Sequence, residues 1–299
     1  MSAGVSGPRL IAIVGPTASG KTRQAVNLAG QINAEIISAD SRQVYRGMDI
    51  GTGKDICEYG EIPYHIIDIC DAGEKYNLHR YVSDFNTAYK QIIGRGHNVV
   101  LCGGTGMYVE TVLAGVRLPD VPRNEDLRRE LADKSLTQLT AILAGMKKLH
   151  NNTDVDTVQR ALRAIEIEEW YRCHPEDAAA ADRSTATPLD AQIYCIDIPR
   201  DERRRRISLR LDERLRQGMV EEVQSLLAGG LTSEQLIYYG LEYKYVTEYV
   251  IGKRTFDEMH DALETAIHQF AKRQMTWFRG MERRGFTLSY HPWKEQLII

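Results

Sequence analysis

One segment decides the fold of this chain: Gly15-Pro16-Thr17-Ala18-Ser19-Gly20-Lys21-Thr22, which matches the pattern G-x-x-x-x-G-K-[ST]. The apolar run Leu10–Val14 before it predicts a buried strand, and residues 23–29 after it predict the start of a helix. In that context the loop binds phosphate groups, because inward-pointing backbone N–H groups and the positive end of the helix dipole attract anions. The motif therefore predicts binding of a diphosphate or triphosphate, the class of ligand to which ATP belongs.

Two side chains at the end of this phosphate loop (residues 15–22) have chemical roles of their own. Lys21 can reach phosphate oxygens, and the hydroxyl of Thr22 can hold a magnesium ion, so Mg²⁺ is the predicted cofactor. A chance glycine-rich turn is the alternative, and the complete match in the required context argues against it.

The composition indicates a folded protein without a general attraction for nucleic acid. The chain has 299 residues, 43% of them apolar, enough for one large domain or two smaller ones. Its net charge of −3 means that any nucleic-acid site must be a local basic patch. The five cysteines form no C-x-x-C pair, so neither a zinc site nor a disulfide framework is expected.

The sequence also predicts a cytoplasmic location. No stretch of 18 apolar residues is present, so no segment is expected to span a membrane. Residues 1–10 lack the charged and apolar regions of a signal peptide. Scattered cysteines fit a reducing compartment. We also expect the protein to act as a monomer.

Strands and helices alternate through the first third of the chain. Strands are predicted at Leu10–Val14, 35–38, 65–69 and 98–102, and a further strand at 190–197. Helices are predicted at 23–32 and Leu78–Gly94, and from residue 199 the pattern is helical almost to residue 286. This alternation predicts an α/β fold with a parallel sheet flanked by helices.

A polar, helical segment interrupts this pattern. It predicts an inserted small helical domain at 121–186, within a catalytic core formed by 1–120 and 187–299. The alanine-rich stretch 173–187 predicts a loop at the end of the insertion.

Asp40 follows the predicted strand 35–38. Ligands of parallel α/β sheets bind at the carboxyl ends of the strands, so Asp40 should lie beside the phosphate loop. The alternative role, an N-cap for a following helix, is equally compatible with the spacing.

The strand 98–102 runs into the glycine turn Gly103-Gly104-Thr105-Gly106. An ATPase or kinase often has an aspartate at such a strand end to help hold magnesium, and Gly103 takes that place here. Asp68 offers a substitute, so the glycine weakens the kinase interpretation without removing it.

A basic segment at 200–216 carries eight arginines. On a helix, Arg206, Arg210 and Arg214 would lie on one face, where guanidinium groups can bind phosphate. Such a run of charge more often forms a solvated face. A later helix at 255–280 combines an apolar stripe, typical of core packing, with a basic end.

Several segments together resemble the bacterial tRNA dimethylallyltransferases. After the phosphate loop, in order, they are Asp40-Ser41-Arg42-Gln43-Val44-Tyr45-Arg46-Gly47-Met48-Asp49-Ile50-Gly51-Thr52, Gly103-Gly104-Thr105-Gly106-Met107-Tyr108, Gln159-Arg160-Ala161-Leu162-Arg163-Ala164-Ile165-Glu166 and Ala271-Lys272-Arg273-Gln274-Met275-Thr276-Trp277-Phe278-Arg279. The resemblance implies a fold similar to P-loop kinases with a helical insertion that helps to bind tRNA. It implies transfer of a dimethylallyl group from dimethylallyl diphosphate to N6 of the adenosine 3′ to the anticodon, in tRNAs that decode codons beginning with U.

The resemblance also implies roles for individual residues. Asp40 would be the general base that takes the proton from the adenine amine. Thr17 and Arg210 match positions that contact the diphosphate or support transfer. The positions that match tRNA contacts are Asp40, Ser41, Arg42, Gln43, Thr105, Arg128, Gln159, Arg160, Ala161, Leu162 and Arg163. The target base would leave the anticodon-loop stack to enter the pocket.

The chain departs from the common pattern of the family at three places. Gly53 and Asp55 stand where relatives often carry alanine and proline. His150-Asn151-Asn152, which lies outside the residues that the structure describes, lacks the proline often found after that histidine. Gly240-Leu241-Glu242 stands where Gly-Tyr-Arg is frequent. The last departure puts tRNA contacts of that region in doubt. Three other interpretations remain: a small-molecule kinase, a prenyltransferase acting on free adenine nucleotide, and an RNA-binding module with a vestigial nucleotide site.

Overall fold

The computed structural model describes residues 9–118, 120–149, 153–181 and 186–299. The amino-terminal residues 1–8, considered above for a signal peptide, lie outside this description, as does part of the predicted loop, 182–185. The chain divides into two compact units. One comprises Met1–Leu113 with Leu189–Ile299, and the other comprises Ala114–Pro188.

A six-stranded parallel sheet forms the centre of the first unit, in the order β3-β2-β4-β1-β5-β6. The predicted α/β fold with a parallel sheet is confirmed. The strands are β1 (Leu10–Val14), β2 (Ala34–Ser38), β3 (Tyr64–His65), β4 (Asn98–Gly103), β5 (Ala191–Asp197) and β6 (Leu288–Pro292).

Helices cover the sheet and follow the strands in sequence. They are α1 (Lys21–Ile32), α2 (Leu78–Gly94), α3 (Gly106–Leu113), α8 (Arg200–Arg216), α9 (Met219–Ala228), α10 (Ser233–Tyr238), α11 (Leu241–Val250) and α12 (Phe256–Arg283). The edge strand β6 was not predicted, because residues 288–292 are largely exposed and lack an apolar pattern. Within the described ranges, no helix is long and apolar enough to cross a membrane.

Strand order brings three chain segments to one edge of the sheet. β1 lies between β4 and β5, and β4 also pairs with β2. Because all of these strands are parallel, their carboxyl ends point the same way. The phosphate loop after β1, Asp40 after β2 and the glycine turn after β4 therefore converge.

The predicted strand at 65–69 is wrong beyond its first residue. β3 ends at His65, because Ile66 and Asp68 adopt left-handed backbone conformations (φ 63° and 55°) that a strand cannot accommodate. The chain then hydrogen-bonds to the segment after β2, with the amide of Asp68 donating to the carbonyl of Gln43 at 3.1 Å. The Asp68 carboxylate forms an ion pair with the buried Lys54.

The second unit is helical and has its own core. Its helices are α4 (Glu125–Glu130), α5 (Leu136–Met146), α6 (Val158–Cys173) and α7 (Pro175–Ala181). Apolar side chains of α5 and α6, including Leu139, Leu143 and Ile165, pack together. The loop predicted at 173–187 is wrong where α7 forms, since proline at the first helical position, two acidic residues in the first turn and then a run of alanine favour a helix.

Candidate active site

The phosphate loop has the backbone conformation that its glycines permit. Gly20 lies in the left-handed region (φ 84°) and caps α1, which begins at Lys21. The first turn of α1 contains no acidic residue, so no carboxylate within the helix competes with an anion for its free N–H groups. Burial lowers the pKa of Lys21, and the positive charges of Arg210 and Arg214 act in the same direction while the Asp40 carboxylate opposes them. A polyanion in this loop would relieve that repulsion.

Gln274 of α12 ties the phosphate loop to the glycine turn after β4. Its side-chain oxygen accepts a hydrogen bond of 2.8 Å from the backbone amide of Thr17. Its side-chain amide donates a hydrogen bond of 2.9 Å to the carbonyl of Gly104. No role for Gln274 was predicted from the residues, because its partners lie far away in the sequence.

Asp40 lies beside the phosphate loop, as its position after β2 predicted. One carboxylate oxygen accepts a hydrogen bond of 2.9 Å from the backbone amide of Arg42. A turn follows, so the alternative role as the N-cap of a helix is wrong. The side chain is half-buried and lines the same cavity as Thr17, Lys21 and Thr22.

This cavity has a volume of about 440 Å³, within the range of small-ligand sites. Its walls come from the converging segments, including the first residues of α1 and α3, and from three further helices, α8, α11 and α12. Side chains from these helices that reach it include Arg210, Arg214, Glu242, Tyr243, Phe270, Arg273, Gln274 and Trp277.

The residues after Asp40 form a polar wall of the cavity. The backbone amide of Ser41 donates to the Thr105 hydroxyl at 3.1 Å. The side chain of Gln43 accepts from the Ser38 hydroxyl at 3.1 Å and donates to the carbonyl of Gly53 at 3.1 Å. The guanidinium of Arg42 lies over the ring of the exposed Tyr238, 5.6 Å from its centroid.

Gly103 leaves no room for a side chain at the end of β4. A Cβ atom there would lie 2.2 Å from the carbonyl oxygen of Ala39, because β2 and β4 are close at this point. An aspartate therefore cannot occupy this position. The substitute, Asp68, is paired with Lys54 and is absent from the cavity wall.

The arginines of α8 that were predicted to share a face do approach the phosphate loop. Arg206 stacks over Trp293 at 4.8 Å, and its Nη1 atom is buried without a hydrogen-bond partner among the residues described. Arg210 is hydrogen-bonded to Asp55. Together with Lys21, both arginines line a second cavity of about 390 Å³ beside the phosphate loop.

The predicted tRNA contacts of the insertion differ in their surroundings. Arg128 is paired with the buried Glu166 (Nη2–Oε2 2.8 Å), so its guanidinium stabilises the unit itself. Ala161 is fully buried in the core of the unit, which corrects its place among the expected contacts: its side chain cannot reach tRNA. Gln159 and Arg160 are exposed, while Leu162 and Arg163 are half-buried. Arg163 donates to the carbonyl of Val121 at 2.8 Å.

Two departures from the family pattern lie next to arginines of α8. Asp55 pairs with Arg210, and Glu242 lies on the cavity wall near Arg214. Burial raises the pKa of Glu242, although the charge of Arg214 partly opposes this. Neither contact was predicted from the sequence.

Two protein-family models match this chain. A family model described as IPP transferase matches residues 43–281, and one described as isopentenyl transferase matches residues 8–59. The first of these alone covers more than half of the chain.

Individual relatives are similar over nearly their whole length. The tRNA dimethylallyltransferase 2 of Bacteroides fragilis is 60% identical, covering 94% of this chain and 92% of that protein. The tRNA dimethylallyltransferase 1 of Porphyromonas gingivalis is 57% identical, covering 94% and 93%. The crystal structure of the tRNA isopentenylpyrophosphate transferase from Bacillus halodurans matches with a TM-score of 0.69 and 32% identity, covering 95% of this chain and 90% of that one.

Proposed function

Since this chain belongs to the IPP transferase family, we propose that it transfers a dimethylallyl group from dimethylallyl diphosphate to tRNA. The acceptor is N6 of the adenosine 3′ to the anticodon, in tRNAs that decode codons beginning with U. One structural observation supports this most directly: a single cavity joins the phosphate loop to Asp40. In addition, the end of β4 has no room for a metal-binding aspartate. A kinase interpretation is not favoured.

The reaction forms one bond and breaks another at the same carbon. N6 attacks C1 of the dimethylallyl group, and the C1–O bond breaks with its electron pair leaving on the diphosphate. Asp40 takes the proton that N6 loses, which a positioned carboxylate can do as the new bond develops. The hydrogen bond from the backbone amide of Arg42 to Oδ1 of Asp40 fixes the orientation of the carboxylate.

The phosphate loop then binds a leaving group and does not transfer a phosphoryl group. Lys21, the N–H groups at the start of α1 and Thr17 surround the diphosphate, with Gln274 holding the Thr17 backbone in place. Arg210 contacts the diphosphate after releasing Asp55. These groups stabilise the negative charge that grows on the diphosphate in the transition state.

Mg²⁺ is the metal that we propose, and the donor set fits it. Within the residues described, no group of three or more histidine, cysteine or acidic side chains could form a complete metal site. Mg²⁺ keeps several waters and is bound through substrate phosphates with one or two protein oxygens, so the Thr22 hydroxyl beside the loop suffices. When bound, the ion would neutralise part of the diphosphate charge.

The tRNA is proposed to bind at the mouth of the cavity and along the insertion. The base leaves the anticodon-loop stack, and Gln43, Ser41 and Thr105 offer polar groups to it. The exposed Gln159 and Arg160 of the insertion are candidates for contacts with the anticodon stem-loop. We further propose that the protein acts as a cytoplasmic monomer.

One incubation tests the proposal. The protein receives labelled dimethylallyl diphosphate, Mg²⁺ and either unmodified tRNA or adenosine monophosphate, with a parallel reaction containing labelled ATP. We expect label in tRNA alone and a mass gain equal to one dimethylallyl group at the adenosine 3′ to the anticodon. Label in the mononucleotide would favour the free-nucleotide prenyltransferase, and phosphorylated product from ATP would favour a kinase.

A further inference from the structure

Gly53 makes room for two arginine side chains. A Cβ atom at this position would lie 1.5 Å from Nη2 of Arg214 and 2.8 Å from Nη2 of Arg210. Both guanidinium groups therefore occupy the space in which any other residue would place its side chain. Gly53 also has a left-handed backbone (φ 62°), which favours glycine independently.

Arg214 lacks the partner that Arg210 has. Arg210 is paired with Asp55, whereas no hydrogen bond or ion pair of the Arg214 guanidinium is found within the ranges that the structure describes. Burial lowers the pKa of Arg214 to about 10, and the charge of Arg210 contributes while Glu242 opposes it. Two neighbouring cations, one without a counter-ion in contact, make a site that favours an anion.

Arg214 lines cavities that also border the phosphate loop. Arg214 and Glu242 line a small cavity together with Thr17 and Ala18 of that loop. Arg214 also lines the main cavity with Lys21 and lies near enough to lower the pKa of Lys21. Glu242, on the first turn of α11, is the acidic group that most strongly opposes the lowering of the Arg214 pKa.

We propose that Arg214 is a second guanidinium contact for the diphosphate of the donor, admitted by Gly53 and positioned by Glu242. The inference rests on the proposed function and adds a residue to its leaving-group site. Planar guanidinium groups bind phosphate oxygens in pairs, so Arg210 and Arg214 can each hold one phosphate. As the C1–O bond breaks, its electron pair adds charge to the diphosphate, and Arg214 stabilises that charge without transferring a proton.

The first test measures binding of inorganic diphosphate in the presence of Mg²⁺ by calorimetry. Arg214→Met keeps the apolar stem and removes the charge, and it should weaken binding about 10- to 100-fold, the usual effect of losing a charged hydrogen bond. Arg214→Lys should restore part of the affinity. The matched control is Arg204→Met, an exposed arginine of α8 that lines neither cavity, and it should bind as the wild type does.

A second pair of variants tests the same contact without removing any charge. Gly53→Ala places a methyl group where the end of the Arg214 side chain lies, and that flexible end can move aside. Gly47→Ala is its control, because Gly47 has a similar backbone (φ 70°) and nothing within 4 Å of an added Cβ. We expect Gly53→Ala to weaken diphosphate binding at least tenfold relative to Gly47→Ala, with melting temperatures that confirm both variants fold.

The outcomes separate this inference from the proposed function. Wild-type diphosphate affinity in Arg214→Met, or equal affinities in the two alanine variants, would overturn the role of Arg214. Failure of the wild-type protein to bind diphosphate would also overturn the proposed role of Arg214. A wild type that binds diphosphate but does not modify tRNA would contradict the proposed function, and the binding series would still decide the role of Arg214. In turnover assays, loss of Arg214 should lower kcat more than it raises KM for the donor, which a purely structural role would not do.

Discussion

The side-chain oxygen of Gln274 accepts a hydrogen bond of 2.8 Å from the backbone amide of Thr17, which lies 257 residues earlier in the chain. The same side chain donates to the carbonyl of Gly104. One residue of the last long helix thus connects the phosphate loop after β1 to the turn after β4. The geometry of the loop depends on α12 as well as on its own glycines.

Changing Gln274 to alanine should damage both stability and catalysis. The variant leaves the Thr17 amide and the Gly104 carbonyl without partners in a half-buried site, which should cost about 1–3 kcal/mol of the free energy of unfolding. A displaced loop should also lower the transfer rate, by up to about 100-fold for a shift near 1 Å. Urea unfolding and single-turnover transfer measure the two effects. Gln224→Ala, at an exposed position of α9, is the control, and equal behaviour of the two variants would contradict the role of Gln274.

Asp40→Asn should slow transfer far more than it weakens binding of the donor. The amide oxygen of asparagine can still accept the hydrogen bond from Arg42, so the turn is kept while the base is lost. A general base contributes about 10²- to 10⁴-fold to the rate. Single-turnover transfer with both substrates saturating measures this directly. A normal rate would mean that Asp40 only shapes the turn.

Asp55→Asn should increase the affinity for diphosphate. Asp55 holds Arg210 in an ion pair that the diphosphate must displace, and both side chains are partly exposed. Such a pair is worth up to about 1 kcal/mol, so binding should tighten by up to about fivefold. Asp71→Asn, which breaks a similar pair with Arg46 outside the cavity, should have no effect. Unchanged or weaker binding in Asp55→Asn would show that this pair does not compete with the ligand.

The surroundings of Glu35 make the free energy of unfolding depend on pH. Burial alone would raise the pKa of Glu35, but hydrogen bonds from Arg95, His65 and His97 outweigh it and lower the pKa from 4.5 to about 2. Because the folded-state value lies below the unfolded one, the carboxylate stabilises the fold above pH 4.5, and this contribution is lost as the pH falls toward 2. This contribution to the free energy of unfolding is about 3 kcal/mol.

Urea unfolding between pH 6 and pH 2 tests this expectation. Glu35→Gln should be less stable than the wild type at pH 6 and should lose much less stability on acidification. Glu221→Gln, an exposed carboxylate of α9, should follow the wild-type curve. Parallel curves for the wild type and Glu35→Gln would contradict the assignment.

Binding of tRNA should depend on salt although the protein is acidic overall. Arg160 is exposed and, among the residues that the structure describes, its ion-pair partner is its surface neighbour Asp156 (2.5 Å), so it can turn to a phosphate at little cost. Arg160→Ala should weaken tRNA binding and flatten the dependence of log Kd on log salt by about 0.7. Gln43→Ala should reduce transfer and leave the slope unchanged, since Gln43 is uncharged. Identical slopes for all three proteins would exclude Arg160 as a phosphate contact.

The sequence was most informative where function depends on neighbouring residues. The phosphate loop could be predicted because β1, the loop and α1 are contiguous, and Asp40 could be placed beside it because parallel strands end at one edge of the sheet. Gln274 could not be placed, since its partners are far away in the chain and no local pattern specifies them. The helical period put Arg214 on one face with Arg206 and Arg210, but it could not show that Arg214 fills the space beside Gly53. The end of β3 was missed for a different reason: an apolar run continues past His65, but the ion pair of Asp68 with Lys54 and the left-handed backbone at Ile66 redirect the chain.

The position of β1 between β4 and β5 has a consequence for synthesis on the ribosome. β1 consists entirely of buried apolar residues, and its partner β5 begins at Ala191, after the whole inserted unit. At about 5–20 residues per second, roughly 10–35 s pass between emergence of the two strands. During that time one edge of β1 has no partner, while the insertion can already fold around its own core. The nascent chain therefore exposes an aggregation-prone strand, and this interval is when a chaperone would be most needed.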